Sequence, residues 1–73
     1  MTYADALQVL VIFKERDYVQ SRPHLYIRSL KSNKWVRPKG VRIVGSCDSI
    51  EVLDWESEQW ENIPFKEFDF GLW

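Results

Sequence analysis

Short apolar segments alternate with polar turn residues from His24 onward, a pattern that predicts an antiparallel β-meander. The predicted strands are His24–Leu30, Trp35–Arg37, Val41–Gly45, Ile50–Trp55 and Trp60–Ile63, with turns at 31–34, 38–40, 46–49 and 56–59. Pro38 and Gly40 favour the second of these turns, because proline presets one dihedral angle and glycine permits the other. Five or six short strands are enough to curl into a small barrel of the SH3-like or OB-like kind.

The N-terminal residues carry two conflicting signals. Thr2 with Asp5 three residues later resembles a capping box, and the residues that follow suit the first turns of a helix. Val9–Phe13 is instead a β-branched and aromatic run, typical of a strand buried on both faces. We expect a short helical turn at Thr2–Leu7 that leads into a strand at Val9–Phe13. The fold class is then mainly β, or α+β with a short N-terminal helix.

Two of the predicted hairpins are variants of one unit. Placing Trp35 over Trp60 aligns residues 25–30 with residues 50–55, at an offset of 25 positions. Each unit is a strand, a four-residue polar turn and a Trp, and this form resembles the outer hairpins of kelch-type propeller blades. The double glycine of that family is missing and two copies cannot close a propeller. We therefore interpret the repeat as shared hairpin geometry.

The length of the chain limits its stability. A chain of 73 residues forms a single domain, residues 1–73. A domain of this size buries only about 60 to 65% of the surface that its unfolded chain exposes, although four Trp residues supply large apolar area. A single cysteine and the absence of a basic-then-apolar leader predict a reducing, cytoplasmic location. The longest apolar run, Val9–Phe13, is far shorter than the roughly 20 residues of a membrane span, so no membrane partner is expected.

Charge is sorted along the chain, although the net charge is only −1. Residues 14–42 contain nine Lys and Arg side chains and two acids, which give a local charge of +7. From Val44 onward eight carboxylates accompany only Lys66, which gives a local charge of −7. We call these segments the basic block and the acidic block. Either block could select a charged partner.

Two arrangements of the blocks have different consequences. In the first, the basic strands pack beside the acidic hairpin and the charges cancel internally, through pairs such as Arg28 or Arg42 with Glu51 or Asp54. In the second, the blocks lie on opposite faces. The molecule then docks onto a partner of matching charge, or associates head to tail as a homo-oligomer.

Residues suited to catalysis are few. The chain has one His and one Cys, no Gly-rich phosphate loop and no pair of Cys or His residues at metal-ligand spacing. A Cys47–His24 dyad would lack a third orienting group and an oxyanion site in so small a domain. We therefore predict that the protein is not an enzyme and uses no metal or cofactor.

The acidic block predicts the principal function, which is binding to another protein. Large apolar rings alternate there with acids, a composition that fits hydrophobic pockets rimmed by Lys and Arg. The predicted anchors are Trp55, Trp60, Phe68, Phe70 and Trp73, and the predicted steering acids are Glu56, Glu58, Glu61 and Asp69. The expected partner is a larger protein with a basic, apolar-lined surface, which the chain would regulate or inhibit. In this respect the chain resembles small phage-encoded inhibitors, in which an acidic surface imitates a phosphate backbone.

Residues 65–73 form an acidic-aromatic tail. Ile63-Pro64-Phe65 resembles the aromatic-tipped acidic tails of bacterial and phage single-stranded-DNA-binding proteins, although those tails end at the Phe and eight residues follow here. The resemblance implies a protein-binding segment. The alternative is that the rings of the tail fold back as a final strand, because a domain this small needs their apolar area in its core.

Nucleic-acid binding is the alternative function. A cationic sheet that carries aromatic rings can neutralise phosphates while it stacks unpaired bases. The candidate residues are Tyr26, Arg28, Lys31, Lys34, Trp35, Arg37, Lys39 and Arg42. Against this function, the overall pI of 5.7 is well below the value of about 9 that is typical of a dedicated nucleic-acid domain.

Overall fold

The computed structural model describes residues 3–16 and 19–73, and it confirms a mainly β fold with one N-terminal helix. The elements are α1 (Tyr3–Arg16), β1 (Leu25–Ser29), β2 (Trp35–Val36), β3 (Pro38–Val44), β4 (Ser49–Asp54), β5 (Trp60–Pro64) and β6 (Phe68–Leu72). Short 3₁₀ turns at Gly45–Cys47 and Phe65–Glu67 precede β4 and β6. The number of strands is within the predicted five or six, but the sixth strand is β6 and the expected strand at Val9–Phe13 is absent.

The strands form two three-stranded antiparallel sheets, in the orders β2-β1-β6 and β3-β4-β5. Arg37 alone separates β2 from β3, and the chain passes there from one sheet to the other. Because β2 has only two residues, no continuous ladder joins the sheets in the described part of the chain. The antiparallel arrangement is therefore confirmed, whereas the expected SH3-like or OB-like barrel is not closed.

The expected strand at Val9–Phe13 is wrong, because α1 continues through it. Ala6 and Val9 are fully buried, and Leu10 and Phe13 pack against the core. These positions have the i, i+3, i+4, i+7 spacing of one helix face. Burial of that face against β3 and β1 outweighs the β propensity of the individual residues.

The ends of α1 carry charges that suit the helix dipole. Asp5 lies in the first turn, and Lys14 and Arg16 lie in the last turn. Thr2, the predicted capping residue, lies outside the described residues. No helix within residues 3–16 and 19–73 is long and apolar enough to cross a membrane.

The predicted turn at Pro38-Lys39-Gly40 is also wrong, because these residues begin β3. Pro38 pairs with Asp54 and Gly40 pairs with Leu53, so a β-bulge accommodates one extra residue between them. Proline is tolerated here because β3 is an edge strand. On the open side of an edge strand, a missing N–H removes no hydrogen bond to a neighbouring strand. Pro and Gly therefore mark a strand irregularity at this position.

The 25-residue repeat holds in three dimensions. Trp35 on β2 and Trp60 on β5 occupy equivalent register positions opposite β1 and β4. Each turn places one residue in left-handed backbone, at Asn33 and at Glu58, and both have a φ of 56°. The amides of these two residues donate to carbonyls four residues earlier, at 2.7 and 2.9 Å. Each sheet is thus one copy of the same hairpin with a third strand added beside its longer strand.

The core lies between α1 and the inner faces of the two sheets. Its buried apolar members are Ala6, Val9, Leu25, Ile27, Val41, Ile50, Val52, Ile63, Phe65 and Phe68. β6 supplies part of this core because it pairs with β1 along its whole length, from Leu72 opposite Leu25 to Phe68 opposite Ser29. Residues 65–73 are therefore part of the folded domain, as the second of the two expectations for this segment stated.

We predict that Phe68→Ala removes most of the stability of the domain. Phe68 is 1% exposed, and truncation of a buried Phe typically costs about 3–5 kcal/mol, whereas a domain of this size has a total stability of about 5 kcal/mol. Urea unfolding followed by circular dichroism measures the change. Leu72→Ala on the same strand is the matched control, because Leu72 is 44% exposed and its truncation should cost well under half as much. If Phe68→Ala is no less stable than Leu72→Ala, β6 does not pack as described.

Candidate functional site

Three aromatic rings pack together on the outer face of the β2-β1-β6 sheet. Tyr26 and Trp73 are stacked, with ring centroids 4.9 Å apart and an interplanar angle of 11°. Trp35 meets Trp73 edge-on, with centroids 4.7 Å apart and an interplanar angle of 80°. Both geometries are favourable for aromatic pairs. We call Tyr26, Trp35 and Trp73 the aromatic platform.

The position of Trp73 depends on Gly71. Gly71 pairs with Tyr26 across the sheet, and a Cβ atom at Gly71 would lie 2.5 Å from Cζ3 of Trp73. Only a residue without a side chain leaves room for the indole ring at this distance. The backbone of Trp73 is fixed as well, because its N–H and C=O exchange hydrogen bonds of 3.1 and 2.9 Å with His24. The last residue of the chain is therefore held against the sheet.

Arg28 completes the platform with a cation that is held in place. Its guanidinium carbon lies 4.6 Å from the centroid of the Trp35 ring. The two terminal nitrogens donate to Asp69 Oδ2 at 3.0 Å and to Asn33 Oδ1 at 2.8 Å. The Nε–H group is buried and has no hydrogen-bond partner among the described residues. Arg28 is thus an anchored cation on an aromatic face, and its charge is compensated by Asp69.

Ion pairs join the basic block to the acidic block. They are Arg28–Asp69 at 3.0 Å, Lys31–Glu67 at 3.9 Å, Lys34–Glu56 at 3.8 Å, Lys39–Glu58 at 2.9 Å and Arg42–Glu51 at 2.6 Å. In one of them, the hydrogen bond from the Lys39 ammonium group lowers the pKa of Glu58. The first of the two charge arrangements is therefore the observed one, and Arg42 with Glu51 is a pair that the sequence predicted. Exposed pairs of this kind stabilise the fold only slightly, but they cancel the opposed fields.

These ion pairs leave fewer free cations among the residues proposed for nucleic-acid binding. Within that predicted set, Arg37 is the one cation that makes no ion pair with a described residue. The two aromatic members, Tyr26 and Trp35, belong to the platform. Most of the charge that would attract phosphates is therefore compensated within the protein.

The predicted protein-binding residues do not form one surface. Trp60 lies on the outer face of the other sheet, where the Arg42 guanidinium covers its ring at 4.0 Å. Phe68 is buried and Phe70 packs against the core, because alternate residues of β6 point inward. These two phenylalanines are core residues and are not available as anchors. Trp73, at 48% exposed, is the predicted anchor that joins the platform.

A cleft of about 320 Å³ lies between the ends of the two hairpins. It is lined by Tyr26, Lys34, Trp35, Val36, Arg37, Asp54, Trp55 and Glu56. Trp55 therefore faces the same space as the platform, although it belongs to the other sheet. The size of the cleft lies within the range of ligand sites, and its lining combines three aromatic rings with four charged side chains. Among the acids predicted to steer a partner, Glu56 is the one in this lining, and it pairs with Lys34.

A cluster of cations lies beside the platform. Arg16, Arg22 and Arg37 lie near enough to His24 for their charges to act on it, and we call these four residues the basic corner. Partial burial lowers the pKa of His24, and the positive charges of Arg37, Arg22 and Arg16 lower it further. A shallow depression there is lined by Arg16, His24 and Arg37 together with the apolar side chains of Phe13, Leu25 and Pro38.

Sequence reasoning did not find the platform as a unit. It assigned Tyr26 and Trp35 to a basic surface and Trp73 to an acidic one. The signal in the sequence was the spacing of Phe68 and Phe70, which is typical of a strand with one apolar face. Gly71 lies on the opposite face of such a strand, where the missing side chain leaves room for a ring. Without the pairing of β6 with β1, that pattern does not say which ring.

Other kinds of site are not supported by the described residues. No group of three or more His, Cys, Asp or Glu side chains within that part of the chain could hold a metal ion. The side chain of Cys47 lies outside the described structure. Protein-family models, curated proteins and solved structures were compared with this chain, and none of them matches it.

We predict that Gly71→Ala displaces the Trp73 ring without unfolding the domain. The new Cβ would occupy space that the indole now fills, and the loss of ring pairing should cost about 0.5–1.5 kcal/mol. Nuclear magnetic resonance (NMR) signals of the Trp73 indole N–H and the Tyr26 ring should shift strongly. Gly45→Ala is the matched control, because nothing lies within 4 Å of its Cβ position, and it should leave both signals unchanged. Unchanged signals in Gly71→Ala would show that the ring does not lie over Gly71.

Proposed function

We propose that this protein is a non-catalytic module that binds another protein through the aromatic platform and the adjoining cleft. The observation that carries the proposal is the packing of Tyr26, Trp35 and Trp73 on one outer sheet face, where Tyr26 and Trp35 are half-buried and Trp73 is exposed. Trp, Tyr and Arg are the residue types that dominate binding energy at protein interfaces. Here Arg28 and the three rings occupy one continuous face.

The platform is ordered before any partner arrives. Trp73 is fixed by its backbone hydrogen bonds to His24, and Arg28 is fixed by Asp69 and Asn33. An interface that is already ordered loses less conformational entropy when it binds, so more of the contact energy contributes to affinity. This supports a role in recognition for side chains that contribute little to the core.

Internal ion pairing also changes what we expect of the partner. The acids proposed to steer it include Glu56, Glu58 and Asp69, and each of these pairs with a cation of the same chain. Paired acids attract a basic partner only weakly, which leaves apolar and aromatic contacts as the main source of affinity. We therefore propose a peptide segment with apolar side chains that insert between the rings of the platform and Trp55.

Nucleic-acid binding is the second candidate. The basic corner beside the rings of the aromatic platform is the observation in its favour, because proteins bind single strands by stacking bases on rings and by neutralising phosphates. Against this candidate, Arg28 and Lys34 pair with acids of the same chain. This pairing reduces the release of counterions that drives binding to nucleic acids.

Peptides selected by display against the immobilised full-length chain test the proposal. We predict that Trp35→Ala and Trp73→Ala each weaken binding of a selected synthetic peptide by about tenfold or more, as truncation of a hot-spot aromatic does. Isothermal titration calorimetry measures the affinity, and unfolding curves confirm that each variant is folded. Trp60→Ala is the matched control, since Trp60 holds the equivalent position in the other sheet, and it should bind like the wild type. Equal losses in Trp60→Ala and Trp73→Ala would contradict a site on the platform.

A parallel titration separates the second candidate. A labelled oligothymidylate of about 20 nucleotides is titrated with the protein at about 50 and 200 mM salt, where several phosphate contacts would change the affinity by orders of magnitude. The proposal expects weak binding with little dependence on salt. Tight binding with a steep dependence on salt would replace peptide recognition with nucleic-acid recognition.

A further inference from the structure

The basic corner holds three of the four cations of the basic block that make no ion pair with a described carboxylate, and the fourth is Lys14. Arg16, Arg22 and Arg37 make no ion pair with a carboxylate of the described residues, although five neighbouring cations do. The three arginines come from the end of α1, from the loop before β1 and from the junction of β2 with β3. The fold therefore gathers like charges from three separate segments around one imidazole, His24.

The corner is also a shaped site. Arg16 Nε donates a hydrogen bond of 2.7 Å to the carbonyl oxygen of Pro23, which fixes the guanidinium at the edge of the depression. Phe13, Leu25 and Pro38 form the apolar part of its wall. The backbone of His24 is held in the sheet by its two hydrogen bonds to Trp73. A fixed guanidinium group, Arg16, and a second arginine, Arg37, at one shallow depression supply the donors that recognise a tetrahedral oxyanion.

We infer that the basic corner binds a single phosphate group and that the protein partner of the aromatic platform carries this group. The first part stands on the corner alone, and the second part rests on the proposed function. Arg37 connects the two parts, because it lines both the cleft, with Tyr26 and Trp35, and the depression, with Arg16 and His24. A phosphate on the corner thus places the groups next to it over the platform.

The surroundings favour one phosphate over a nucleic-acid backbone. A backbone needs a row of free cations, whereas Arg28 and Lys34 beside the corner are already paired with acids. Asp54 and Glu56 also line the cleft, where they would repel the next phosphates of a strand. Three of the four cations of the basic block without an ion pair to a described carboxylate lie in the basic corner, which suits an isolated phosphate.

His24 reports directly on this site. Its pKa lies below the usual value in the free protein, so the stability that this group contributes is present above its unfolded pKa of about 6.5 and is lost as pH falls through the folded pKa. A bound phosphate dianion opposes the charges of Arg37, Arg22 and Arg16 and should raise the pKa of His24. His24 is the only histidine in the sequence, so its ring proton signals are assigned without ambiguity.

Titration of the full chain with inorganic phosphate at constant ionic strength tests the first part, with NMR signals of His24 and the backbone as readouts. We predict saturable binding, on the order of 1 mM in affinity, a rise in the pKa of His24, and a loss of about tenfold or more in Arg37→Gln. Arg42→Gln is the matched control, because Arg42 pairs with Glu51 on the other sheet, and it should bind phosphate like the wild type. Shifts that grow linearly without saturation, or an unchanged affinity in Arg37→Gln, would overturn the inference.

Phenyl phosphate, which joins a phosphate to an aromatic ring, tests the second part. We predict that it binds several-fold tighter than inorganic phosphate and that Trp35→Ala abolishes this gain, whereas Trp60→Ala preserves it.

If inorganic phosphate binds but phenyl phosphate binds no more tightly, the link to the platform is wrong. If selected peptides bind the platform but inorganic phosphate does not bind, the corner fails while the proposed function stands. An oligothymidylate that binds far more tightly than phenyl phosphate would overturn the single-phosphate site in favour of nucleic acid.

Discussion

The antiparallel pairing of β6 with β1 is the interaction on which the other features depend. It buries Phe68 in the core and brings Asp69 beside Arg28. It also places Gly71 opposite Tyr26, which leaves the space that the Trp73 ring occupies. A small domain has little apolar area to spare, and this strand contributes to the core on one face and to the aromatic platform on the other.

Charge follows the same pairing. The basic and acidic blocks are separated in sequence because neighbouring strands come from different parts of the chain, and antiparallel pairing then places opposite charges side by side. Arg28 with Asp69 joins β1 to β6, and Arg42 with Glu51 joins β3 to β4. Once these charges cancel, two features remain distinct at the surface. They are the rings of the aromatic platform and the arginines of the basic corner, which make no ion pair with a carboxylate of the described residues.

Local patterns in the sequence predicted the hairpins well and the long-range contacts poorly. Polar turns between apolar runs located β1, β4 and β5, and the alignment of Trp35 with Trp60 identified two hairpins of the same form, in which these residues hold equivalent positions. The Val9–Phe13 run was misassigned because a short apolar segment suits a strand as well as a helix until its packing partner is known. The rings of the site were identified one by one. Their grouping required the pairing of β6 with β1, which brings together residues more than 40 positions apart, such as Tyr26 and Trp73.

The most direct test of this account is a nuclear Overhauser measurement on the full chain in solution. The account predicts strong effects between the α-protons of Gly71 and the ring protons of Trp73, and between the rings of Trp73 and Tyr26. The Gly71 α-protons should also be shifted upfield by the ring above them. An indole of Trp73 at its unfolded chemical shift, with none of these effects, would contradict the account, because the platform and its link to the basic corner would then not exist.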